Sequence, residues 1–69
     1  MLPIRFTYID DTVYPEEKVY VSILGQFNHH FTGETIYKLR LEGERGWFDE
    51  HFYRECYVKN MLKKKVEET

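Results

Sequence analysis

The sequence predicts a small, mostly β domain. Three observations carry that expectation. Short segments alternate apolar and polar side chains, which is the period of a half-buried strand. Clusters of Gly, Pro, Asp and Thr separate them, as turns require. The composition is rich in rings and β-branched residues, with aromatics at 17% of the 69 residues. A chain of this length makes one domain and buries only ~60% of its unfolded surface, so its core is barely adequate. The six Tyr, five Phe and single Trp offset part of that shortfall, since one ring buries ~150–250 Å².

The elements follow in order. Ile4-Arg5-Phe6-Thr7-Tyr8 alternates and reads as a first strand. Residues 9–17 carry Asp10, Asp11, Thr12 and Pro15 without sustained periodicity and read as a long acidic loop. Lys18 to Leu24 puts Val19, Val21 and Ile23 on one face and is a second strand. Gly25 to Gly33 is bracketed by glycines and reads as a second loop. Thr35 to Leu41 is a third strand with Tyr37, Leu39 and Leu41 on one face. Glu42-Gly43-Glu44-Arg45-Gly46 is a tight hairpin turn, and Trp47-Phe48 opens a returning strand.

Residues 49–66 admit two readings. Phe52, Tyr53, Cys56 and Tyr57 have helical spacing, but Val58, Leu62 and Val66 fall on the opposite side of the same wheel. One helix over the whole stretch would have no single apolar stripe. The preferred reading is a short 3₁₀ turn near 49–51, a final strand and a polar tail that can be helical. The alternative is a three-stranded antiparallel sheet with a C-terminal helix over 49–66.

The order of elements, and above all Leu39-Arg40-Leu41-Glu42-Gly43-Glu44-Arg45-Gly46-Trp47-Phe48-Asp49-Glu50-His51-Phe52, resembles SH3-like barrels. The segment is similar to the distal hairpin and closing turn of SH3 domains. It is also similar to small SH3-like proteins of bacteria and their phages. The resemblance covers residues 4–58 and implies a five-stranded barrel; the expected domain is residues 1–58, and a basic, polar tail that can be helical is expected over 59–69. It does not extend to the proline-peptide groove. Tyr8-Ile9-Asp10-Asp11 is a distant echo of the first-loop motif, Ile36-Tyr37 stands where the groove Trp would be, and Asp49 where the turn Pro would be.

The chemistry-bearing residues form no familiar catalytic or metal pattern. His29, His30, His51 and Cys56 have no Cys-x-x-Cys or His-Glu-x-x-His spacing. Cys56 is expected to be a small buried hydrophobe. No enzyme activity, cofactor or metal is therefore expected. The net charge of −2 has the wrong sign for a protein devoted to phosphate backbones. The lone cysteine suits a reducing compartment. Met1 to Arg5 lacks the apolar core of a signal peptide, and no apolar run approaches a membrane span. A cytoplasmic chain, away from membranes, is the expectation.

The leading functional expectation is a non-catalytic protein-binding module. Tyr14, Phe27, His29, His30, Phe31 and Trp47 would dock, while Asp10, Asp11, Glu16 and Glu17 steer the chain to a basic surface. By analogy, a phage or mobile-element accessory protein that inhibits a host protein fits such a chain. The alternative is a small nucleic-acid-binding β-barrel, drawing on Lys18, Lys38, Arg40 and the lysines of the tail. A homodimer is the other partner that the protein-binding reading admits.

Overall fold

The computed structural model describes residues 3–66. Its chain forms four strands, β1 (Arg5–Asp10), β2 (Glu17–Asn28), β3 (Thr35–Gly43) and β4 (Phe48–Arg54), and then one helix, α1 (Glu55–Lys63). The strands pair antiparallel in sequence order, β1-β2-β3-β4. The mostly-β expectation therefore holds. The closed five-stranded barrel does not: the sheet is unclosed, and a helix stands where the last strand was expected. Residues 67–69 of the expected tail lie outside the described residues.

Period-2 alternation sorts the sheet into two faces. Phe6, Val19, Val21, Tyr37, Leu39 and Leu41 point to one side and are buried. Half-buried Tyr8, Ile23 and Tyr53 extend that side. Burial, then the charge of nearby Asp10, raises the Tyr8 phenol above its ordinary range, and burial raises that of Tyr53. α1 covers this face with Val58, which is fully buried, and with Met61 and Leu62. These lie at i, i+3 and i+4, the spacing that lines one face of a helix. Glu55 in the first turn and Lys63 in the last turn suit the helix dipole.

The change of period at Arg54 corrects both readings of residues 49–66. The expected 3₁₀ turn at 49–51 is ordinary strand, with Leu41–Asp49, Arg40–Glu50 and Leu39–His51 in register. The alternative helix begins only at Glu55. The boundary expected between residues 58 and 59 falls inside α1, whose Val58, Met61 and Leu62 belong to the core. Cys56 is the other correction. It is exposed, because the apolar stripe of α1 passes through Val58 and turns residue 56 outward.

Two glycines fix the β3–β4 hairpin. Gly46 has φ 101°, a region that L side chains rarely adopt. It follows a turn closed by Gly46 N–H donating to the Gly43 carbonyl at 2.9 Å, while Gly43 N–H donates to the Trp47 carbonyl at 2.8 Å. This is a three-residue loop with a glycine bulge. At Gly43 the constraint is space, because an added Cβ would overlap the Trp47 indole. That ring folds back over Gly43 so that its Nε1 donates to Glu17 Oε1 at 3.0 Å. Gly43→Ala is expected to displace the ring and break this bond, at a cost of about 1–3 kcal/mol. A lowered thermal midpoint with red-shifted tryptophan emission would report it.

The second expected loop is shorter than predicted. Gly25 lies within β2, at a register shift between Ile23 and Gly25. Strand pairing then resumes through Phe27–Ile36 and Asn28–Thr35.

Candidate functional site

The ten residues expected to bind a partner divide between opposite ends of the sheet. β2 runs 12 residues, from Glu17 at one end to Asn28 at the other. Phe27, His29, His30 and Phe31 lie at the far end. The His29 and His30 rings stack at 6.0 Å and Phe31 packs on His30 at 4.4 Å. Phe31 remains 84% exposed. Asp10, Asp11, Tyr14, Glu16, Glu17 and Trp47 lie at the near end, where the β1–β2 loop meets the β3–β4 hairpin. Arg45 joins the two by donating to the Pro15 carbonyl.

The near-end residues have different surroundings. Tyr14 is almost fully exposed. Asp10 Oδ1 accepts from the Thr12 hydroxyl and backbone N–H, holding the loop turn. Glu17 is buried, and its two oxygens take bonds from Trp47 Nε1 and Arg45 N–H. Glu17 thus meets the hairpin rather than solvent, and Trp47 spends its one polar atom on it. Lys64 donates to Asp11 Oδ1 at 2.9 Å, and this bond and its charge hold the Asp11 carboxyl below its ordinary range. Stability from the pair is present above the ordinary carboxylate pKa and is lost as pH falls through the depressed one. Lys64→Ala is expected to return Asp11 to its ordinary titration, read from its carboxyl carbon by NMR.

Sequence reasoning missed the sheet face opposite α1. Directly paired residues share a face, so the registers Tyr20–Glu42, Ser22–Arg40, Phe27–Ile36, Lys38–Phe52 and Glu42–Phe48 assemble it across three strands. Phe27, Phe48 and Phe52 are all more than half exposed on it. The Phe27 and Phe52 rings meet edge to face at 5.9 Å. Lys38 Nζ lies 5.9 Å from the Phe52 centroid, and the Arg40 guanidinium 4.9 Å from that of Phe48. Both are within cation–π range.

The charge of this face differs from that of the chain. Arg5, Lys18, Lys38, Arg40 and Arg54 share it with Glu42 and Glu50, and Glu34 meets it at Arg54, while the whole chain has a net charge of −2. Arg40 pairs with Glu42 at 3.0 Å and Arg54 with Glu34 at 2.8 Å. Toward β1 the face deepens into an open groove of roughly 640 Å³, with Arg5, Thr7, Tyr20, Ser22, Glu42 and Lys65 in its lining.

Nothing on the described residues assembles a metal centre: no group of three His, Cys, Asp or Glu side chains converges. His51 is engaged with Asp49, Nε2 to Oδ2, at 3.0 Å. No helix of the described residues is long and apolar enough to cross a membrane. No family model matches the chain, and no curated protein or solved structure shows significant similarity to it.

Proposed function

We propose that this chain is a non-catalytic binding module whose open sheet face takes single-stranded nucleic acid. The observation that carries the reading is the convergence of Phe27, Phe48 and Phe52 with Lys38 and Arg40 on one uncovered face. Any base presents a π-face to an exposed ring, and each stacked base contributes ~1–3 kcal/mol. Cations beside those rings meet the phosphates that link the stacked bases. Four strands spaced ~4.8 Å apart span about 14 Å, enough to seat a few nucleotides. The groove lined by Arg5 and Lys65 continues the path toward β1.

The sequence alone favours a protein partner because loop aromatics lie beside acidic residues and the total charge is negative. The register that sets Lys38 and Arg40 beside the sheet-face rings supports the nucleic-acid reading instead. Action in the cytoplasm and kinship with small SH3-like proteins of bacteria and phages belong to the same proposal. The glycine-bulge hairpin and the return of the chain to β1 through the Tyr8–Lys65 bridge support that kinship.

The test is fluorescence anisotropy with labelled single-stranded DNA and RNA of about ten nucleotides, within the site sizes typical of one small β domain. Binding that weakens steeply with salt is expected. No change in anisotropy with either strand at low salt would end the reading. The second reading, a protein-docking module directed at a host protein, draws on the exposure of Tyr14 and Phe31 at the two loop ends. It predicts binding that survives loss of the sheet-face rings and fails on loss of those two.

A further inference from the structure

The two edges of the sheet are unlike. The outer edge of β1 is occupied by the chain that leaves α1. Ile9 N–H donates to the Lys64 carbonyl at 3.2 Å, and Val66 N–H to the Thr7 carbonyl at 2.8 Å. Beyond β4 no strand follows among the described residues.

The hairpin sets which groups β4 presents outward. Gly43 N–H bonds the Trp47 carbonyl, and bonded pairs alternate along an antiparallel ladder. Leu41–Asp49, Leu39–His51 and Tyr37–Tyr53 are therefore the bonded pairs of β3 and β4. The N–H and C=O groups of Phe48, Glu50 and Phe52 point away from the sheet. So does the N–H of Arg54, whose carbonyl serves α1 as its N-cap. Proteins usually blunt such an edge with a proline, with charged side chains, above all lysine, or with a bulge. Phe48–Arg54 has neither proline nor lysine, its register against β3 is unbroken, and its charges are Asp49, Glu50 and Arg54, of both signs.

We propose that this edge pairs with the same edge of a second copy, joining two sheets across a two-fold axis. The strand's own sequence argues for that occupant. Two-fold antiparallel pairing must set outward groups against outward groups, which restricts the register to steps of two. With His51 on the axis, the whole of Phe48–Arg54 pairs. Phe48 meets Arg54 of the second copy, Asp49 meets Tyr53, and Glu50 meets Phe52, so no carboxylate faces another. One step in one direction sets Glu50 against Glu50. One step in the other leaves only residues 50–54 to pair. The favoured register also extends the aromatic face of one copy into that of the other.

Sedimentation velocity on the full chain, from roughly 10 μM to 1 mM, covers the weak end of specific association. A monomer–dimer equilibrium is expected in that range. Glu50→Pro removes an outward N–H that β3 does not use, so it is tolerated in the monomer's own edge and is expected to sediment as monomer throughout. Amide hydrogen exchange on the unaltered chain gives a reading that does not depend on the variant's folding. Exchange at Glu50 and Phe52 is expected to slow by about tenfold or more as concentration rises. A chain that stays monomeric to 1 mM would overturn the proposal. So would a dimer in which these two amides exchange as fast as in the monomer. Either result leaves the nucleic-acid reading untouched, because one copy carries its complete aromatic face.

Discussion

Val58→Asp is expected to abolish the cooperative thermal transition of this domain. Val58 is fully buried between α1 and the sheet, among Leu39, Val19 and Val21. A carboxylate there would be set among Leu39, Val19 and Val21, with no cationic side chain in the core cluster. An uncompensated buried charge costs several kcal/mol. Domains retain about 0.05–0.15 kcal/mol per residue in total, so one such change consumes most of what a chain of this size holds. Circular dichroism against temperature would read the loss. Lys59→Ala, one position away on the exposed side of α1, changes a surface pair with Glu55 and is expected to shift stability by less than ~1 kcal/mol. An aspartate at 58 that melted like the unaltered chain would refute the packing of α1 on the sheet.

The double replacement Phe27→Ala/Phe52→Ala is expected to remove oligonucleotide binding while leaving the fold. The two rings meet on the open face and are about half exposed or more. Little core is lost with them. At ~1–3 kcal/mol for each stacked base, losing both platforms weakens binding by roughly one to four orders of magnitude. Lys38→Ala is expected to act differently. It removes one phosphate contact, weakens binding to all sequences alike and reduces the slope of affinity against salt by about one. Tyr14→Ala, at the near end, is expected to change neither. Anisotropy titrations at several salt concentrations separate these outcomes, and unchanged affinity in the double variant would remove the open face as the site.

Much of the sheet was legible because alternation survives in the sequence. Val19, Val21 and Ile23, and then Tyr37, Leu39 and Leu41, name the buried face of β2 and β3 without any knowledge of pairing. The hairpin at Gly43 and Gly46 was legible through the backbone freedom of glycine. The start of the helix was not, because residues 52–53 and 56–57, which share one side of the wheel, straddle the end of β4 and the first turn of α1. Phe52 and Tyr53 end a strand and point to opposite faces, whereas Val58 and Leu62 begin the stripe of a helix. Their opposition marked a boundary at residue 54 rather than a flaw in one long helix. The candidate site was hidden for a related reason. Phe27 read as a loop residue because Gly25 resembled a loop start, yet the strand absorbs that glycine at a register shift. Lys38, Arg40, Phe48 and Phe52 are neighbours only across the β3–β4 ladder, which no local pattern reveals.

The bonds from Ile9 and to Thr7 that hold residues 64–66 against β1 have a consequence for solubility. A sheet with two open margins can add copies indefinitely and grow into fibres. Here one margin is closed by residues 64–66, so growth is available on one side alone. Any assembly built through strands must terminate after a single addition. Trimming the chain before Lys64 would reopen that margin and turn a self-limiting surface into a propagating one.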